Sequence, residues 1–200
     1  AKAKFWKELQ DLVDEKGILL IVDEVQTGIG RTGHLFAHQM YDLKPDVITL
    51  AKALGNGIPI GAVLATDEAS VLVPGDHAST FGGNFLATRV GVEVVDEIGK
   101  KEFLDSVKDK GEYFKKGLEK LTEKYEILGE VRGEGLMIGV EIKPDKIKPV
   151  MTKMMEDKKV LMGAAGGVAL RFLPPLIVKK GEIDVVLEKL DEVLKEIVES

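Results

Sequence analysis

The chain has 200 residues, 44% of them hydrophobic, with 34 acidic and 28 basic side chains and a net charge of −6. That length allows one or two domains, the apolar share excludes a disordered chain, and basic residues scattered rather than gathered argue against a nucleic-acid surface. No apolar run approaches the roughly 18 residues of a membrane span, no secretory signal is visible, and the lack of cysteine removes disulfide frameworks and thiolate metal sites while fitting a reducing, cytoplasmic setting.

Residues 3–16 read as a helix, with Phe5, Leu9, Leu12 and Val13 at helical spacing and Gly17 at the C-cap. Residues 18–22 form a wholly apolar run ending at Asp23, which predicts a strand buried on both faces of a parallel sheet. After a glycine-rich loop come a short helix over 32–41, a second buried strand over 47–51 ending at Lys52, and a third strand over 60–65. Alternation of helix and buried strand predicts an α/β fold with a mainly parallel sheet. Past Gly83 the texture changes. Helices are expected over 84–98 and 103–124, two short strands within 127–142 around Gly133 and Gly135, and a helix over 147–157. Strand-like stretches follow near Val160 and over 168–172; Pro174-Pro175 then breaks the chain before a final helix over 182–198. Elements here no longer simply alternate, which predicts a separate α+β domain over 101–200 after a first domain over 1–100. The 24 Lys and 20 Glu against 2 Asn and 3 Gln follow a hyperthermophile tendency.

Gly28-Ile29-Gly30-Arg31-Thr32-Gly33 matches G-x-G-x-x-G, but Asp23 to Thr27 separate it from its strand and place two carboxylates beside the would-be phosphates. A dinucleotide loop starts directly at the strand end, so that reading fails. An apolar strand followed by Asp-Glu also suits a P-loop ATPase, which needs an upstream G-x-x-x-x-G-K-[ST] that the chain does not contain; it stays a minor alternative. His34 and His38 have zinc-pair spacing on the expected helix, yet no third ligand follows, and packing or solvent-facing histidines are the simpler reading. Asp23 and Lys52 say more. Each ends an expected strand, and the segment between them has the length of one crossover, so both reach the carboxyl edge of the sheet where α/β proteins bind ligands. A lysine flanked by Leu50, Ala51, Ala53 and Leu54 is expected to be partly desolvated and nucleophilic. From spacing alone, an ordinary Asp–Lys ion pair is an equal alternative.

The run Leu20-Ile21-Val22-Asp23-Glu24-Val25-Gln26-Thr27-Gly28, followed by Gly30-Arg31-Thr32-Gly33, resembles the signature of the class III (ornithine-type) aminotransferases. Three further blocks agree in order: residues 49–57 around Lys52, Ser79-Thr80-Phe81-Gly82-Gly83-Asn84, and Leu170-Arg171-Phe172-Leu173-Pro174-Pro175-Leu176. The resemblance implies a fold-type I enzyme using pyridoxal 5′-phosphate (PLP), here the C-terminal part of its large mainly parallel-sheet domain followed by the small α+β C-terminal domain. Lys52 is then the cofactor lysine and proton shuttle, Asp23 the partner of the pyridine nitrogen, and Gln26 a neighbour of the phenolic oxygen. Glu24 and Val25 complete the cofactor set with Thr80, which is implied to reach the phosphate of a homodimer partner's cofactor. Ser79 and Arg171 are implied substrate residues, Arg171 clamping the α-carboxylate; no metal is implied.

Residues 59–62, 74–77 and 132–139 are most similar to members acting on N-acetylornithine. They imply transfer of its ω-amino group to 2-oxoglutarate in arginine biosynthesis. Ornithine, succinylornithine or 4-aminobutyrate are the alternative donors, and a non-catalytic interaction module is the alternative of another class. Phe85 stands where the family usually has proline, which predicts local repacking only. Members of the class are longer, so the resemblance also implies half a cofactor site and exposed sheet surface.

Overall fold

The computed structural model describes residues 2–199. The chain divides into two compact units, with the break between Leu104 and Asp105.

The first unit begins with α1 (Ala3–Lys16), stopped where Gly17 turns left-handed at φ 62° and Ile18 N–H returns to Val13 O at 3.0 Å. Gln10 Oε1 on this helix accepts from Lys44 N–H at 2.8 Å, and Trp6 stacks on Tyr41. Strand β1 (Ile21–Asp23) pairs in parallel with β2 (Val47–Leu50), aligning Asp23 with Thr49. Strand β3 (Ala62–Ala65) pairs antiparallel with β2, giving a mixed three-stranded sheet in the order β1-β2-β3. Helix α2 (Phe85–Ile98) opens on Asn84, whose side chain accepts Ala87 N–H at 2.9 Å. Its residues Val94, Val95 and Ile98 pack on a small core of Ile29, Leu50 and Leu54.

Several expectations are corrected here. The apolar run 18–22 contributes only Ile21 and Val22 to a strand, and it is not buried on both faces: Ile18, Leu19 and Ile21 are 55%, 56% and 63% exposed. The apolar pattern records a surface that requires cover, and no described residue supplies it. Strand β2 likewise stops at Leu50 and is buried fully only there. The expected helix over 32–41 is a 3-10 turn, Ala37–Tyr41, because Gly30 and Gly33 bend the chain through φ 79° and 81° first. His34 and His38 therefore share no helical face.

The second unit carries α3 (Lys101–Lys124), whose first residues precede the break, then β4 (Leu128–Glu134), β5 (Met137–Ile142), α4 (Pro144–Glu156), β6 (Gly163–Ala165), β7 (Ala169–Phe172) and α5 (Lys180–Glu199). The stretch at Val160 expected to be strand-like is irregular; the strand begins at Gly163. All pairs are antiparallel, in the order β4-β5-β7-β6. In β5 the buried residues Ile138, Val140 and Ile142 alternate with less buried ones, as in a sheet packed on one face. They meet Phe114 and Leu118 of α3, Met154 of α4, and Leu190 and Leu194 of α5 in one continuous core. Gly133 can be nothing larger: at φ 133°, a Cβ there would stand 2.0 Å from Met137 O.

Candidate active site

The parallel pairing of β1 and β2 brings Asp23 and Thr49 side by side at the carboxyl ends of their strands. Asp23 Oδ1 accepts two hydrogen bonds, from Val25 N–H at 2.9 Å and from Thr49 Oγ1 at 3.1 Å. Among the described residues no hydrogen bond or ion pair reaches Oδ2, and Lys52 does not bridge to this carboxylate. The side chain is exposed and held in one direction with one oxygen open.

Lys52 follows β2 by two residues, at the start of a 3-10 turn, Lys52–Gly55. Its φ is 47°, a left-handed conformation that costs a non-glycine residue about 1–2 kcal/mol. Strain of this kind collects at functional sites, where the surroundings impose it. Here Leu50 and Leu54 on either side are buried against Ile29 and anchor the strained turn. The lysine itself is exposed, contrary to the expected desolvation, because its apolar neighbours turn into the core and leave its side chain on the outside.

Glu24 behaves differently from Asp23. Strand alternation sends it to the opposite side, where it is 1% exposed. Its Oε1 accepts His38 N–H at 2.8 Å and lies 3.2 Å from His38 Nδ1, while Thr27 Oγ1 donates to Oε2. Val25 is half-buried and Gln26 exposed. Gly28 closes this turn on Glu24: a Cβ there would stand 2.8 Å from Glu24 O. Arg31, further along the loop, is shielded enough that burial lowers its guanidinium pKa from the usual value.

Ser79 and Thr80 stand in the exposed stretch that leads from β3 into α2, where every residue from Ser70 to Leu86 is solvent-facing. Ser79 Oγ accepts Gly82 N–H at 2.9 Å.

In the second unit, Arg171 sits in β7 between two glycines, Gly139 of β5 and Gly163 of β6. Its Nε is buried and has no hydrogen-bond partner among the described residues. The side chain borders a cleft of about 660 Å³ lined also by Met162, Phe172, Pro174 and Pro175. A buried N–H of a guanidinium without an acceptor marks a place where an anion can bind.

Sequence reasoning missed two groups. Thr49 was only part of a motif block, although its register against Asp23 follows from parallel pairing. The inward clasp of Glu24 by Thr27 and His38 was also missed; the available signal was alternation, which puts neighbours in a strand on opposite faces.

The family model for class-III aminotransferases matches residues 1–194. The acetylornithine aminotransferase of Caldanaerobacter subterraneus is 48% identical over 197 residues, covering 98% of this chain and 50% of the relative. That of Methanocaldococcus jannaschii is 49% identical over 201 residues, with 98% and 49% covered. Among solved structures, the ornithine aminotransferase of Toxoplasma gondii superposes with a TM-score of 0.91 at 35% identity, over 99% of this chain and 48% of that one. The N-acetylornithine aminotransferase of Stenotrophomonas maltophilia gives 0.87 at 33% identity, over 99% and 52%. The chain spans about half the length of the curated relatives it matches. With its family model matched along nearly its whole length and its fold shared with these enzymes, the chain belongs to the class-III aminotransferases.

Proposed function

We propose that this chain is the lysine-bearing part of a PLP-dependent aminotransferase that moves the ω-amino group of N-acetylornithine to 2-oxoglutarate. The observation that carries the reading is the pairing of Asp23, fixed through Oδ1 with Oδ2 open, with the strand that leads into the strained turn of Lys52. Those groups fit PLP: an oriented carboxylate accepts from a protonated ring nitrogen, and an exposed primary amine reaches a carbonyl carbon.

PLP, when bound, supplies the electron sink that makes the carbon bearing the transferred amine acidic. Asp23 holds the proton on the pyridine nitrogen. The Lys52 amine would hold the cofactor and would take up and return the proton of the substrate carbon. Gln26, which is exposed, would hydrogen-bond the phenolic oxygen, and the half-buried Val25 would support the ring. Arg171 takes the α-carboxylate common to the amino donor and 2-oxoglutarate, and Ser79 contacts the acetylated end of the donor. The protein acts as a homodimer in which Thr80 donates to the phosphate of the partner's cofactor, consistent with its place on an exposed segment. The large PLP-binding domain includes residues 1–100, the small C-terminal domain is residues 101–200, and the proposed location is the cytoplasm.

N-Acetylornithine is taken as the donor because the two curated relatives named above, both acetylornithine aminotransferases, reach 48–49% identity. The two solved structures do not separate the donors, at 33% for the N-acetylornithine enzyme of Stenotrophomonas maltophilia and 35% for the ornithine enzyme of Toxoplasma gondii. The test is to purify the native protein, record its visible absorption and assay both donors with 2-oxoglutarate. A yellow protein that consumes N-acetylornithine faster than ornithine supports the reading. A colourless protein that takes up no PLP indicates an interaction module instead.

A further inference from the structure

Among the described residues, Glu24 is the one acidic side chain that is fully buried. An ionised carboxylate taken out of water is costly unless its oxygens are hydrogen-bonded. Here they are: Oε1 faces His38 N–H and Nδ1, and Oε2 receives Thr27 Oγ1. The resemblance implies a place for Glu24 in the cofactor set, but the proposed chemistry gives its carboxylate no step of its own.

The backbone shows what it can do. Glu24 N–H donates to Thr49 O at 3.0 Å, extending the β1–β2 ladder, and Glu24 O accepts Gly28 N–H at 2.9 Å. The peptide between Glu24 and Val25 carries the N–H that fixes Asp23 Oδ1. Rotation of Glu24 therefore swings the donor that aims Asp23. The same carboxylate holds Thr27, and Gln26 lies between these two anchored residues.

We infer that Glu24 is the positioning residue of this turn: its inward carboxylate, gripped by Thr27 and His38, sets the direction in which Asp23 and Gln26 present their side chains to PLP. The inference rests on the PLP reading of the site. The buried carboxylate of Glu24 points away from the exposed side on which Asp23 lies, so the contribution to cofactor binding that the resemblance implies for Glu24 is read as indirect. It acts through the Val25 N–H and the Thr27 hydroxyl. Glutamine preserves most of this arrangement, since its carbonyl can accept His38 N–H while its amide donates to a rotated Thr27 hydroxyl. Alanine preserves none of it.

The experiment compares the PLP dissociation constant and the visible spectrum of bound PLP in the full-length protein with Glu24→Gln, Glu24→Ala and Thr27→Val. Leu190→Ala, which opens the core of the second unit, serves as a destabilised control. Glu24→Gln should stay within about threefold of wild type, Glu24→Ala should weaken PLP by about tenfold or more with a changed spectrum, and Thr27→Val should fall between. Leu190→Ala should lower Tm without weakening PLP comparably. If Glu24→Ala does not fold, Thr27→Val decides: its binding and spectrum must depart from wild type. Wild-type affinity and spectrum in Glu24→Ala, or an equal loss in Leu190→Ala, overturn the inference while the PLP reading stands. A wild-type protein that binds no PLP overturns both.

Discussion

The guanidinium of Arg171 lies across Gly163, its partner in the β6–β7 pair: a Cβ on that glycine would stand 3.5 Å from Nε and 3.6 Å from Nη2. Gly139 occupies the matching position on β5, so Arg171 runs between two strands that offer it no side chain. An anion clamp needs such room, because the planar fork must turn to meet a carboxylate.

Gly163 has no left-handed φ, so valine suits its strand backbone and tests the room alone. Gly163→Val should raise KM for 2-oxoglutarate about tenfold with little change in Tm, since a displaced fork loses a charge-assisted hydrogen bond of about 1.5–3 kcal/mol. Arg171→Lys should lower kcat/KM for both substrates by more than about tenfold, because charge is kept and the fork is lost. Steady-state kinetics on each half-reaction check both; a change under about threefold in Arg171→Lys removes the clamp role.

Lys52→Ala should abolish transamination and the borohydride-trapped PLP adduct. Left-handed backbone adds a second readout. Lys52→Gly should be equally inactive, yet its apo form should be more stable than that of Lys52→Ala by about 1 kcal/mol, because glycine accepts φ 47° without a Cβ penalty. Denaturant unfolding of the two variants measures the difference.

Asp23→Asn keeps the acceptor for Val25 N–H and removes the charge that favours a protonated ring. A loss of roughly 10²–10⁴ in kcat is expected, the range of a positioned proton-transfer effect. Near-normal turnover would leave Asp23 a loop-shaping residue.

Thr80→Ala should weaken PLP by about 1.5–3 kcal/mol if its hydroxyl donates to a phosphate. Heterodimers of Thr80→Ala with Lys52→Ala separate the geometries. With Thr80 acting across the interface, one of the two sites keeps both residues, and activity returns to about half of wild type. Heterodimers no better than the single-variant homodimers would exclude action in trans.

In the second unit Asp191 accepts from Lys124 Nζ at 2.6 and 2.7 Å and from Tyr125 Oη at 2.6 Å. Burial alone would raise its pKa, but the bonds from Lys124 and Tyr125 outweigh it and hold the carboxyl below the usual value of 3.8. A folded pKa below the unfolded one means stability present above the unfolded value and lost as pH falls through the folded one. Asp191→Asn should therefore cost stability at neutral pH and lose less on acidification below about pH 4 than wild type does. Urea unfolding across that range tests the sign.

Features set by neighbours in sequence were legible. The end of α1 at Gly17 and the start of α2 at Asn84 follow from local capping, and the hairpin around Gly133 and Gly135 from local turn chemistry. What depends on cover was not. The apolar run 18–22 looks the same whether a layer lies over it or not; the resemblance implies exposed sheet surface, and the fold shows that Ile18 and Ile21 are part of it. The exposure of Lys52 has the same origin, since flanking leucines say that a core is near but not on which side the lysine stands. For the candidate site, Asp23 and Lys52 could be found from strand ends and chain length between them. The roles of Thr49, Thr27 and His38 needed register and loop geometry, which side-chain type alone does not carry.

The two units hold very different amounts of interior. The second gathers seventeen buried side chains into one cluster, whereas the first gathers three, Ile29, Leu50 and Leu54. Opening free energy tracks such contacts, so amide protons of β5 and α5 should exchange with deuterium far later than those of β1 and β3. The Lys52 turn belongs to the part that breathes first. Within this chain the Lys52 turn has only Ile29, Leu50 and Leu54 to stiffen it, whereas Arg171 stands on a sheet whose core its own unit completes.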